Sequence, residues 1–369
     1  MSVLWVSDAD LDLLQPLPEA LLMAMGAIGQ PAARSHLAQA LARSRVAPQA
    51  AAWIANPGGM TPFLAKLREA GLAEEPNRGF WTLAPRAVET VCRRARRKGV
   101  LRPLAVAGQG SFDSGRVLLD PLGRDLAALR LAFLEGKPAE WLPASEKVAQ
   151  AHRAALGFRD PLALLCGRPF DSAWFEDLSP EAQSFGAWAL LHDALLFGGG
   201  DPAFRAWMQD RAAKRTGPLG PVAEFLLLEG RAPEAKARLD RLRPEQRSLL
   251  PMTLLAAALA LAGGDAPGAA QAFQGVLEAL ARGPRRKAVH LPGIMDFFCF
   301  LAFIGRGDDE GLRLAAERLE VLARRQEGDP LLELAGPFQR LLLHRSGLPP
   351  RPPLPAPERP GPLARFADL

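Results

Sequence analysis

Arg93-Arg94-Ala95-Arg96-Arg97-Lys98 puts five cations within six residues. The chemistry open to such a run is phosphate neutralisation, in which each cation displaces a condensed counterion from a nucleic acid. The same run at a helix end complements the helix dipole. Two readings therefore stand: a solvated helix terminus and a phosphate-binding strip. Lys66 and Arg68, on a helix expected over 60–70 with Thr61 near its start, add two cations, and Arg78 adds one at a turn. Glu74 and Glu75 oppose them. Two cations on a helix are few for base readout, so phosphate contacts are expected to dominate. A second basic patch, Arg282, Arg285, Arg286 and Lys287, leads into Val289-His290-Leu291-Pro292-Gly293. It reads either as a solvated corner or as a phosphate or partner contact.

Catalytic patterns are missing. No GxxxxGK[ST] loop occurs, and Gly198-Gly199-Gly200 runs into Asp201-Pro202 as a helix stop before a new N-cap. Gly108-Gln109-Gly110 opens like a dinucleotide fingerprint, but Asp113 stands where its third glycine belongs. Asp8, Asp10, Asp12 and Glu19 match four calcium-loop positions, yet Leu13 replaces the required glycine and Pro16 and Pro18 break the loop, leaving an acidic arm. His36, His152, His192, His290 and His344 are isolated, without ligand spacing. No catalytic residue, metal or other cofactor is expected.

The elements that must position the basic residues are mostly helices. Phe63–Leu83 reads as an amphipathic helix, a C-cap at Gly71, and a β-hairpin that turns at Pro76-Asn77-Arg78-Gly79. Helices are expected before it at 18–27, 32–43 and 48–55, and after it at 85–98. A helix cluster ending in helix–Gly–hairpin is the outline of a winged helix. The expected organisation is an N-terminal arm at 1–16, a winged helix at 17–100 and a connector at 101–118. An α-helical repeat domain follows at 119–346, then a proline-rich linker or tail at 347–369. Within the repeat region, helices near 120–135, 144–157, 180–197, 201–214 and 218–230 precede six more, separated by short Gly, Pro or Asp breaks. Residues 224–282 come closest to a tetratricopeptide pattern, with Gly230 and Gly263 at turns and Ala235 and Ala270 at small-residue packing positions. The fold class expected is mostly α: a winged helix followed by a tetratricopeptide-like solenoid.

Composition bounds the rest. The 369 residues suffice for two or more cores, and 49% hydrophobic with 23% charged residues is ordinary for a globular protein. A net charge of +5 does not by itself diagnose nucleic-acid binding. Cys92, Cys166 and Cys299 form neither a disulfide framework nor a zinc signature, which favours a reducing, cytoplasmic compartment. The N-terminus lacks a basic leader, and the apolar run Leu249–Ala262 is broken by Pro251, so no membrane is expected.

Two segments carry a resemblance: FLLLEGRAPEA (225–235) and RRKAVHLPGIMDFFCFLAFIGRGD (285–308). With DPLALL (160–165) and PFDSAWFEDLSPE (169–181), they resemble the helical region upstream of the motor in large bacterial Swi/Snf-type helicases. The shared phrase is Arg286-Lys287, Val289, Leu291-Pro292-Gly293 and the apolar helix Phe297–Leu301. The resemblance spans roughly residues 160–345. It implies a non-catalytic accessory region of an ATP-dependent DNA helicase or translocase, with the motor in cis or in trans. Partners would be duplex DNA, held by phosphate-dominated contacts, and other proteins. The alternative is a stand-alone scaffold or winged-helix transcription regulator.

Overall fold

A computed structural model of the chain describes residues 5–109, 120–282, 291–325 and 329–347. It is 73% helix, with 21 α-helices and one small sheet among the described residues, so the fold is mostly α as expected. The chain divides into two compact units, Met1–Ala182 and Gln183–Leu369.

The first unit opens with α1 (Asp8–Asp12) inside the expected arm. Ser7 Oγ accepts from the Asp10 amide while the Asp10 carboxylate accepts from the Ser7 amide, a capping box that starts the helix. The helix α2 (Pro16–Ile28) follows, with Leu21, Leu22 and Met25 buried, and ends at Gly29 in the left-handed region. Strand β1 (Ala32–Ala33) then leads into α3 (Arg34–Ser44), a short 3-10 turn at Pro48–Ala51, α4 (Ala52–Ala55) and a second such turn at Pro57–Met60. Next come α5 (Thr61–Glu69) and the hairpin β2 (Ala73–Asn77) and β3 (Phe80–Leu83). Strand order is β1-β3-β2, all antiparallel, with Ala32 opposite Trp81 and Ala73 opposite Leu83. The β2–β3 register shifts between Glu74 and Asn77, where Pro76 has no amide to give the ladder.

Helix α6 (Val88–Arg97) closes this layer by packing on α2. Residues 101–118 do not form a plain connector: Leu101–Gln109 is α7, packed on α2 and α3 with Leu101 and Leu104 buried. Pro103 is its third residue, where no intrahelical amide bond is lost. The remaining residues of the expected connector, 110–118, lie outside the described residues. The unit continues through α8 (Pro121–Leu134), α9 (Pro138–Ala151), α10 (Pro161–Cys166) and α11 (Ser172–Glu176). The start of α9 is six residues ahead of the expected 144, because Pro138 sits at N1 and carries the helix upstream.

The second unit is a run of neighbouring helices: α12 (Pro180–Phe197), α13 (Pro202–Lys214), α14 (Leu219–Leu228), α15 (Ala232–Leu239) and α16 (Pro244–Arg247). It continues with α17 (Leu250–Ala262), α18 (Ala266–Ala281), α19 (Met295–Arg306), α20 (Asp309–Ala323) and α21 (Ala335–Ser346), the last preceded by a 3-10 turn at Pro330–Leu334. Partners in sequence are partners in space: α14 with α15, α17 with α18, and α18 through α21 each with the next. Ala235 and Ala270 are fully buried where helices approach closely. Phe300 stacks on Phe338 at 3.9 Å. A buried network of Asp296, Arg318, Arg325 and Asp329 joins α19, α20 and the following turn, with opposite charges balanced. The expected linker begins with Gly347, the left-handed cap of α21, and residues 348–369 lie outside the described residues.

Candidate nucleic-acid interface

Helix α6 carries the basic run, and each of its cations meets a partner in its own unit. Arg93 is 2% exposed. Its Nη1 donates to the Pro169 carbonyl at 2.8 Å and its Nη2 to the Leu165 and Cys166 carbonyls at 2.6 and 3.2 Å, and the guanidinium lies 3.9 Å over the Trp174 ring. Arg96 Nε donates to the Leu134 carbonyl at the end of α8. Arg94 pairs with Asp12 at 2.6 Å and Glu19 at 2.5 Å, Arg97 with Asp8 at 2.5 Å, and Lys98 with Glu19 at 2.6 Å. Burial works against the Glu19 carboxylate, but the Lys98 and Arg94 cations outweigh it and hold its pKa below the ordinary value. Burial likewise opposes the Arg94 charge, and Asp12 and Glu19 overcome it and raise its pKa. Arg93 therefore serves as an internal brace and Arg96, itself exposed, ties α6 to the end of α8, while Arg94, Arg97 and Lys98 are neutralised by acids more than 70 residues away in the chain.

Helix α5 and the hairpin differ. Leu64 and Leu67 face the core, so Lys66 and Arg68 are left on the exposed side. Arg68 reaches Glu75 at 3.3 Å. Lys66 and Arg78 are exposed and make no ion pair among the described residues. Arg78 precedes Gly79, whose φ of +84° completes the turn in open space and whose amide donates to Glu75 Oε1 at 2.7 Å. At the other end of α5, Arg34 Nη1 donates to Thr61 Oγ1 at 2.6 Å, joining the N-termini of α3 and α5. Arg43 and Arg45, at the end of α3, are also exposed and unpaired among the described residues.

The second patch is divided. Arg282 is the exposed C-cap of α18, whereas Arg285, Arg286 and Lys287 lie outside the described residues. Among the described residues, no three His, Cys, Asp or Glu side chains converge to hold a metal, and no helix is long and apolar enough to cross a membrane. What this surface can do is bind an anion through a few exposed cations set on a helix and an adjoining turn.

Reading the sequence alone missed Arg34, Arg43 and Arg45, which carry no clustering signal. It also missed the destination of Asp8, Asp12 and Glu19, since local spacing does not report a partner on α6. Comparison of the chain with family models, curated proteins and solved structures finds no match.

Proposed function

We propose that this chain is a non-catalytic accessory module that engages duplex DNA for a Swi/Snf-type ATP-driven motor, itself supplied in cis or in trans. In this reading residues 17–100 form a winged helix, and α5 with the β2–β3 turn is the face toward the duplex. The observation that carries it is the path of the chain: α2, the short strand β1, α3, the one-turn α4, α5 and the β2–β3 hairpin, in sheet order β1-β3-β2, with Lys66 and Arg78 on the last helix and the turn making no ion pair among the described residues. The contact is assigned to α5 and the turn rather than to α6, because Arg93 is buried and Arg94, Arg97 and Lys98 are already met by carboxylates. Few cations face outward, so binding is weak, dominated by phosphates and indifferent to sequence. The second unit supplies tetratricopeptide-like helix pairs for docking the motor or another protein, consistent with Ala235 and Ala270 at close helix contacts. A cytoplasmic location fits three free cysteines.

Fluorescence anisotropy of the full chain with short duplex and single-stranded DNA across a salt series tests this. Duplex binding that weakens steadily with salt is expected. Absence of binding at the lowest salt would refute the DNA-facing role.

One observation favours a second reading, a stand-alone protein scaffold or regulator. Arg68 is neutralised by Glu75, and Glu69 and Glu74 are exposed on the same helix and hairpin. Capture of a separately encoded motor or regulator with no duplex binding is the result that would select it.

A further inference from the structure

Arg94 and Arg97 of the basic run on α6 are met by carboxylates spaced along a short helix. Asp8 and Asp12 sit at the two ends of α1 and meet Arg97 and Arg94. The Arg97–Asp8 pair lies at the surface, with side chains 41% and 37% exposed, and Asp12 is 66% exposed where it meets the more covered Arg94, at 15%. Exposed ion pairs are weak, screened by salt and readily exchanged for another anion. The attachment of α1 is slight as well. Leu11 is its one buried residue, and just ahead of it Val6 is held by its amide on the Arg86 carbonyl at 3.2 Å and by Thr90 Oγ1 on its own carbonyl at 2.8 Å.

We propose that α1 is an internal stand-in for a phosphate backbone, masking on Arg94 and Arg97 a second surface for duplex DNA. The inference rests on the DNA-facing role proposed above and adds a site to it. Glu19 belongs to α2 and stays in place, so Arg97 and one side of Arg94 are what the mask withholds. Arg93 does not take part, since it is buried and bonded to backbone carbonyls. Arg96, exposed and bonded through Nε to the Leu134 carbonyl, meets no carboxylate of α1 among the described residues and so is not masked. The partner is a polyanion with regularly spaced charges, because Asp8 and Asp12 must be replaced together.

The full-length variant Asp8→Asn/Asp12→Asn tests the mask in the same salt series. Its duplex affinity is expected to rise about tenfold near 0.1 M salt, with a salt slope steeper by one to two, roughly one per released cation. The control Glu317→Gln/Glu320→Gln removes two acids from exposed pairs with Arg313 and Arg324 and changes net charge equally. It should leave affinity unchanged. Leu11→Ala, which loosens α1 without altering charge, should raise affinity in the same direction. An equal gain in the control, or no gain in either α1 variant, overturns the mask. If wild type fails to bind duplex while the unmasked variant binds, the mask stands and the α5 face is wrong. Wild-type binding lost on Lys66→Ala/Arg78→Ala, with no gain on unmasking, leaves the α5 face and removes the mask.

Discussion

Arg93 is a cation taken out of water without a carboxylate to meet it. Burial lowers its pKa from the ordinary value, and three backbone carbonyls with the Trp174 face hold the charge instead. Arg93→Ala strands those carbonyls and should destabilise the first unit by about 2–4 kcal/mol, read by chemical denaturation. Duplex affinity should not change, since no phosphate can reach the side chain. The cysteines give a second check at this scale. Burial pushes the thiols of Cys92 and Cys299 up to about 12, and that of Cys166 in the same direction. A thiol reagent at pH 8 should therefore find none of the three in the native protein and all three after unfolding. Glu19 provides a pH dependence. Its pKa is depressed in the folded chain, so its pairing stabilises fully above the ordinary value of 4.5 and is lost as pH falls through the lower folded value. Acid titration of Glu19→Gln against wild type should show the two stabilities converging below that range.

At the level of elements, the helix–Gly–hairpin unit depends on Gly71. Its φ is +67°, and a Cβ there would lie 2.2 Å from Arg86 Nη2, whose guanidinium holds the Ala70 and Gly71 carbonyls. Gly71→Ala should lower stability by about 2 kcal/mol or more, combining left-handed strain with displacement of Arg86. Gly79→Ala meets open space and should cost about 1 kcal/mol from conformation alone. This stretch was legible because its signals are local: apolar spacing at Leu64 and Leu67, a glycine stop, and turn residues between two short strands. The neighbouring misreadings have local causes too. Pro103 and Gly108 made 101–118 look irregular, yet Pro103 lies in the first turn and Gly108 is helical where a Cβ would sit 2.9 Å from Ile28. Helix α1 is too short for periodicity to register, although Ser7 and Asp10 carried its capping signature. The partners of α6 were illegible because a charge does not announce which distant acid will reach it.

Across the molecule, the same long-range contacts decide where the chain divides. The expected boundary near 118 gives way to one after Ala182, because α8 to α11 are fastened to the first unit. Arg130 on α8 meets Glu89 on α6 through two bonds of 2.9 and 2.7 Å, and both side chains are buried. Burial alone would lower the Arg130 pKa, but the Glu89 carboxylate outweighs it and raises the value. Glu89→Gln leaves a buried guanidinium short of its counter-charge and should cost about 3–5 kcal/mol. Hydrogen exchange should show α8 losing protection first. The basic balance of the sequence thus overstates the positive surface, since much of the run on α6 is spent in holding the first unit together. The face proposed to meet a duplex without displacement of α1 is that of α5 and the hairpin turn. The most direct measurement is the salt dependence of duplex binding for wild type and for Lys66→Ala/Arg78→Ala. A slope lower by about two in the double variant, roughly one per lost phosphate contact, is the predicted result. An unchanged slope would contradict the assignment of this face to DNA.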